Sequence, residues 1–401
     1  MVGHTFMSVM KIPMRNVHVL VIGAGIGGLT AALALQRAGL KVSVFEAALQ
    51  LGELGAGLTI SPNATHALEY VGLGPYMAEH GDKPETGASV HYQTGEVLYY
   101  TQRNSEFREK YGAEYYQIHR ADVHGALADA VRANDANAIH LSHAFKSFVQ
   151  SGETVSATFA NGQSLTGDVL IGCDGVRSVV RGELFGVEVP RFTGQVAFRG
   201  LVDAEPVREH IVPTPSSTAM GPGRIFTRYF VRKGKLVNFV GIARTDAWKE
   251  EGWSVPATVD EMLSVYSDFN EHARAIIKST PPGQLFKWAL FDRNPLPQWT
   301  KGRVTLLGDA AHAMLPFLGM GAAMGFEDGA IIGRCFEASS TIDEALARYE
   351  KARKERTTMV LLNSRKQGSV YQSDNPASMR GQTSGELRLG LFDYNVKTVE
   401  V

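Results

Sequence analysis

The run Val17-His18-Val19-Leu20-Val21-Ile22 is β-branched and apolar at nearly every position, which predicts a strand buried on both faces. A glycine turn follows. Leu29 to Ala38 then switches to good helix formers, and Gly39 supplies a left-handed stop. Lys41 to Glu46 returns to strand character, so the first 30 ordered residues or so predict a parallel βαβ unit. A glycine-rich loop from Gly52 to Asn63 leads into a predicted helix over 64–70. Residues 89–101 alternate as a hairpin turned at Gly95. A helix is predicted over 122–132 with Asp122 as its cap. Strands are predicted over 139–141, 154–159 and 168–173, with Asn161-Gly162 as a hairpin turn. From Gln195 to Ala243 the pattern is strand-like and broken by turn pairs, which predicts a mainly antiparallel sheet. Val304 to Gly308 reads as another buried strand. Residues 325–367 read as helix with a break near Ser339-Ser340, and the tail after Asp374 reads as polar and weakly structured, with 387–394 able to dock.

Composition narrows the class. The chain has 401 residues, 44% hydrophobic and 20% charged, which excludes disordered, collagen-like and coiled-coil readings. A formal net charge of -1 leaves no footprint for nucleic acid or an anionic membrane. Cys173 and Cys335 are the two cysteines, so no disulfide framework and no metal site is expected. Met1 to Arg15 reads as a loose leader without a secretory h-region, and no run approaches the roughly 18 apolar residues of a membrane span. The expectation is a cytoplasmic protein, without nucleic-acid or membrane partners, that is monomeric or homodimeric.

Gly23-Ala24-Gly25-Ile26-Gly27-Gly28 is a G-x-G-x-x-G between strand and helix, where bare backbone lets a pyrophosphate approach the helix N-terminus. Glu46 ends the next strand 18 residues beyond Gly28, placed to accept from an adenosine ribose. These residues alone leave FAD and NAD open. Three further segments bear on the choice. Ile171 to Ser178 is an apolar strand ending in Asp174, Gly175 and Arg177. Gly308-Asp309-Ala310-Ala311-His312 puts a carboxylate at a strand end, where it can accept from sugar hydroxyls. Pro316-Phe317-Leu318-Gly319-Met320-Gly321-Ala322 is a tight loop opening a helix, whose free amides suit a flavin's electron-rich edge.

In this order, from Val17 to Gln367, the motifs resemble the class A flavoprotein aromatic hydroxylases, which include salicylate, 4-hydroxybenzoate and 6-hydroxynicotinate hydroxylases. The salicylate and hydroxynicotinate subgroups are closest, through Gly55-Ala56-Gly57, Arg199 and Asn294-Pro295-Leu296-Pro297-x-Trp299. The resemblance implies an α/β fold with a Rossmann-like FAD-binding domain, an inserted mainly antiparallel β-sheet substrate domain and C-terminal helices. The FAD domain is expected over 16–80, 111–182 and 288–372, the sheet domain over 81–110 and 183–287, and a tail over 373–401. Gly23, Gly25, Ile26, Gly28 and Glu46 correspond to the ADP side of FAD, with Gly57 and Phe145 grouped among the cofactor residues. Arg120, in His119-Arg120-Ala121-Asp122-Val123, Asp174 and Asp309 match further FAD motifs, with Gly321 and Ala322 at the flavin edge. Ala47 stands where many members carry arginine.

The implied activity is NADH- or NADPH-dependent hydroxylation, with or without decarboxylation, of a hydroxylated aromatic or pyridine carboxylic acid by O2 through a flavin hydroperoxide. Where several members read His-Tyr-Pro, this chain has Arg228-Tyr229-Phe230, so Tyr229 is the candidate proton acceptor or relay, against a purely structural tyrosine. Arg199 and Arg228 are candidates for holding a carboxylate. Thr59, Phe317 and Met320 are expected at the substrate ring, Pro316 is counted with the catalytic residues, and His312 is expected to be structural. A disulfide reductase is disfavoured by the lack of a second glycine fingerprint and of a close cysteine pair. A halogenase is disfavoured because no Trp-x-Trp occurs among Trp248, Trp253, Trp288 and Trp299. An oxidase or reductase on the same FAD fold, or a non-catalytic flavin scaffold, is the remaining alternative.

Overall fold

The computed structural model describes residues 14, 16–52, 56–245 and 255–401. The leader 1–13, Gly55 of the glycine loop, Trp248 and Trp253 lie outside the described residues.

Five strands form one wholly parallel sheet. Its spatial order is Val304–Leu306, Val169–Gly172, His18–Ile22, Lys41–Phe45 and Ile139–His140. The first strand of the chain is therefore central, and Val19, Leu20 and Val21 are fully buried, as a run covered on both faces requires. Helix Ile26–Arg37 leaves this strand and packs against helices Arg120–Asn134 and Gly321–Ala338. The second contact rests on glycines four residues apart. A Cβ on Gly325 would stand 3.6 Å from Gly27 Cα, on Gly329 2.7 Å from the Ala31 nitrogen, and on Gly333 2.5 Å from Ala34 Cβ. Residues four apart share a helix face, so this glycine ridge lets the two backbones nearly touch.

An eight-stranded sheet forms the second body. Its order is Val255–Pro256, Leu285–Asp292, Arg191–Asp203, Leu236–Arg244, Arg224–Val231, Ser216–Gly221, Thr86–His91 and Val97–Gln102. All neighbours are antiparallel except Ser216–Gly221 with Thr86–His91. One face packs under helices Val259–Val265 and Glu271–Lys278 through Phe226, Phe239, Met262 and Tyr266. The other faces the parallel-sheet body. Strand Leu285–Asp292 pairs with the long strand Arg191–Asp203 up to Asp292, past residue 288 where the sequence places a boundary.

Two local expectations are corrected. Helix Arg120–Asn134 begins two residues before Asp122, with His119 at its N-cap. Asp122 instead pairs with Arg232, at 2.8 and 3.0 Å. The tail is also better packed than its polarity suggests, although the expected docking of 387–394 holds. Leu391, Phe392 and Val396 are buried, and Arg334 donates to the Val396 and Val399 carbonyls. The helix break does fall at Ser339-Ser340, because Thr341 caps the helix Ile342–Tyr371 by accepting from the Glu344 amide.

Candidate active site

The glycine fingerprint is shaped by contacts that no side chain would permit. Gly23 has φ 105°, and a Cβ there would meet the Cys173 carbonyl oxygen at 2.5 Å. A Cβ on Gly28 would fall onto the Gly23 carbonyl oxygen, while Gly25 faces open space. The first amides of helix Ile26–Arg37 thus border a cradle with no acid in the helix's first turn and no side-chain cap. Unpaired amides and the helix dipole suit a diphosphate there. Glu46 accepts from the Ala24 amide at 3.0 Å and the Ala48 amide at 2.9 Å, bracing the turn while keeping lone pairs for a ribose.

From Gly25 and Gly28 a cavity of about 510 Å³ runs past Asp309, Gly321 and Ala322 to the sheet, where Thr227, Tyr229 and Val240 line it. This volume is in the range of a cofactor site. The expected residues Ile26, Gly57, Thr59, Arg120, Pro316 and Phe317 line it too. Gly57 is squeezed against the sheet. A Cβ there would meet Tyr229 Cε2 at 2.5 Å, and its amide donates to Asn238 Oδ1 at 2.6 Å. Burial pushes the Tyr229 phenol well above its ordinary range. A phenol so raised keeps its proton at neutral pH.

Not every expected residue reaches this cavity. Asp174 accepts from the Ser178 hydroxyl and from the amides of Val179, at 2.7 Å, and Val180, at 3.1 Å. It takes the first two amides of helix Val179–Phe185, whose N-cap is Ser178, and Gly175 lines the cavity in its place. Arg228 is a clear correction. Its guanidinium donates to the Thr214 carbonyl at 2.5 Å and the Val212 carbonyl at 2.6 Å, and it lines a separate small cavity of about 140 Å³ with Phe226 and Ala219. Arg199 lies outside the cavity with its guanidinium 5.0 Å from the Trp288 ring centroid. Met320 borders a neighbouring cavity of about 100 Å³. Phe145, edge-on to Phe159, and Ala47, exposed, also lie off it.

His312 does belong to the scaffold. Its Nε2 contacts Asp328 at 2.6 Å, and the same carboxylate accepts from the Gly308 amide at 3.0 Å and Arg353 Nε at 2.7 Å. Arg353 also pairs with Glu327 at 2.7 Å, which Arg356 and Asn63 join. Burial would raise the Asp328 carboxyl, but facing His312 and Arg353 overcomes this and holds it at about 2. This buried network fixes the strand end just before Asp309.

Several lining residues escape the sequence reading: Arg103, Tyr115, Gln117, Ser216, Thr218, Tyr371 and Glu386. Thr218 and Thr227 share a hydrogen bond of 3.0 Å, and Gln117 donates to Ser216 at 3.0 Å. Together the bare phosphate cradle, the strand-end carboxylate and the hydroxyl-bearing sheet floor define a flavin-dependent oxidoreductase that encloses a small organic substrate.

The chain belongs to the FAD binding domain family, which it matches over residues 16–364. It is 34% identical to 3-hydroxybenzoate 6-hydroxylase 1 of Aquipseudomonas alcaligenes, covering 92% of this chain and 94% of that one. It is 33% identical to 6-hydroxynicotinate 3-monooxygenase of Pseudomonas fluorescens, covering 86% and 90%. Among solved structures, Klebsiella pneumoniae HpxO complexed with FAD and uric acid superposes with a TM-score of 0.85 at 25% identity, covering 95% and 97%. The protein is a single-component FAD-dependent monooxygenase with the hydroxylase fold read from its motifs. No helix among the described residues is long and apolar enough to cross a membrane.

Proposed function

We propose that the substrate is a monocyclic aromatic or pyridine carboxylic acid already carrying a ring hydroxyl. The overall balance converts one ring C–H, dioxygen, NAD(P)H and a proton into a ring C–OH, water and NAD(P)+. FAD, when bound, supplies hydride acceptance and oxygen activation. The chain's own residues do the rest. The amides at Gly25 to Gly28 hold the diphosphate, Asp309 accepts from the sugar-like chain, and Arg120 borders the same cavity. The Pro316–Ala322 loop closes one side of the ring site and the sheet floor closes the other, which keeps water from the reacting centre.

Tyr229 donates a hydrogen bond to the ring oxygen of the substrate, stabilising the phenolate or pyridinolate that makes the ring carbon nucleophilic. Thr227, beside it on the same strand face, points to the same space. The observation that supports this reading best is the meeting of Ser216, Thr218, Thr227 and Tyr229 with Pro316 and Phe317 around one cavity.

The test is oxidation of NADH and of NADPH by the purified flavoprotein, screened against salicylate, hydroxybenzoates and hydroxynicotinates, with peroxide and hydroxylated product quantified together. Product matching reductant supports the proposal. Stimulation that yields peroxide alone for every acid, or no stimulation, overturns it.

A further inference from the structure

Resting on that reading, we propose that Arg103 is the residue that binds the substrate's carboxylate. It comes from the end of the hairpin Thr86–Gln102, not from the strands where the arginine candidates were sought. Its guanidinium lines both the main cavity and the adjoining one of about 100 Å³, so it stands where the two merge. Nε and Nη1 are buried, yet among the described residues neither has a hydrogen-bond partner. An arginine is always charged, and a buried donor left without a partner is costly, more so on a charged group. The fold nonetheless holds this one in place.

Two features hold it. The guanidinium stacks over the Tyr115 ring, 4.0 Å from the centroid, which orients its plane. Gly87 clears the other side: a Cβ there would stand 3.0 Å from both Nη1 and Nη2. The planar fork is thus fixed with a donor unused on each of its two edges, and a carboxylate takes Nη2 together with either Nε or Nη1 as two parallel bonds. Glu386 is the acid nearest in kind, lining the same cavities. It makes no ion pair with Arg103, and burial pushes its carboxyl up by more than the charges of Arg103 and Arg388 pull it down, so it competes less for the guanidinium than a surface acid would. Ser216, Thr218 and Tyr371 complete the wall with groups suited to ring hydroxyls.

The experiment compares an aromatic acid that stimulates the wild type with its carboxamide, using Arg103→Gln and Arg103→Lys flavoproteins. KM and kcat are measured, and equilibrium binding is followed through the perturbation of the flavin spectrum. The wild type should prefer the acid strongly. Arg103→Gln should raise KM for the acid by about 10- to 150-fold, as loss of charged hydrogen bonds predicts, with FAD retained and the acid-to-amide preference collapsed. Arg103→Lys should recover part of the affinity, because it keeps the charge and loses the fork. An unchanged acid-to-amide preference in Arg103→Gln overturns the assignment while the hydroxylase reading stands. A wild type that responds to no aromatic acid overturns both.

Discussion

Replacing Asp328 by asparagine keeps the side chain's shape and removes its charge, which isolates what the buried network contributes. Three donors converge on that carboxylate, from Gly308, His312 and Arg353, and both Asp328 and Arg353 are fully buried. An asparagine offers one acceptor oxygen and turns an NH2 toward groups that are themselves donors, leaving Arg353 with Glu327 as its acid. Removing one partner of a buried ion pair costs about 3–5 kcal/mol. An unfolding entropy of about 2 cal/mol/K per residue, over a chain of this length, makes each degree worth about 0.8 kcal/mol. The melting temperature at neutral pH should therefore fall by about 4–6 °C, and FAD should bind less tightly because Gly308 precedes Asp309.

The acid limb supplies a second reading of the same perturbation. The Asp328 carboxyl is held at about 2, below its ordinary 3.8, so its contribution is present above the ordinary value and is lost as pH falls through about 2. That contribution is on the order of 2 kcal/mol. The assay is thermal unfolding of the FAD-saturated protein by flavin fluorescence, at neutral pH and stepwise down to about pH 3. The gap between wild type and Asp328→Asn should narrow on acidification. A variant melting within about 1 °C of the wild type, with a superimposable acid limb, would refute the reasoning.

Other substitutions probe the site itself. Gly28→Ala puts a methyl onto the Gly23 carbonyl oxygen, and strain of about 1–3 kcal/mol should weaken FAD binding roughly 5- to 150-fold in a fluorescence-quench titration. Normal affinity would show that the turn yields without cost. Tyr229→Phe removes a donor that acts on developing charge, so product formation should slow by about 10²–10³-fold with FAD still bound and more reductant lost to peroxide. An unchanged product rate removes Tyr229 from the chemistry. Arg228→Met should leave KM for the aromatic acid within about twofold, since this guanidinium, pushed down to about 9 by burial, lies off the substrate cavity. A large rise in KM would return Arg228 to the site.

Local signals carried most of the cofactor half. The strand, glycine turn and helix from His18 to Arg37 are adjacent in sequence, and Gly28 answers to Gly23 within that unit, whereas Gly23 and Gly27 answer to Cys173, Leu307 and Gly325 far along the chain. Asp174 shows the limit of motif reading, because an acid followed by a glycine at a strand end serves equally to take the first amides of the next helix. Strand alternation separates Arg228 from the cavity. Neighbours in a strand point to opposite faces, so a residue between Thr227 and Tyr229 cannot share their cavity. The same period-two argument puts Tyr99, Thr101 and Arg103 in one row, which lines the neighbouring cavity. Glu386 carried no such signal. It reaches the site through a polar tail whose path depends on burying Leu391 and Phe392 far along the chain.

The glycine ridge between helices Ile26–Arg37 and Gly321–Ala338 also bears on how the protein comes into being. Gly27 and Gly325 are 298 residues apart, and at about 5–20 residues per second the ribosome needs tens of seconds to supply the second after the first. Until then the cavity lacks the side that Gly321 and Ala322 provide, and the fully buried Ala31 and Ala34 lack the helix that Gly329 and Gly333 bring against them. Such a nascent chain offers apolar surface to chaperones and to other chains for most of its synthesis. Cofactor capture is thus a late event in the life of each molecule, and shortening the chain before Gly321 costs the N-terminal half its closure as well as the segment removed.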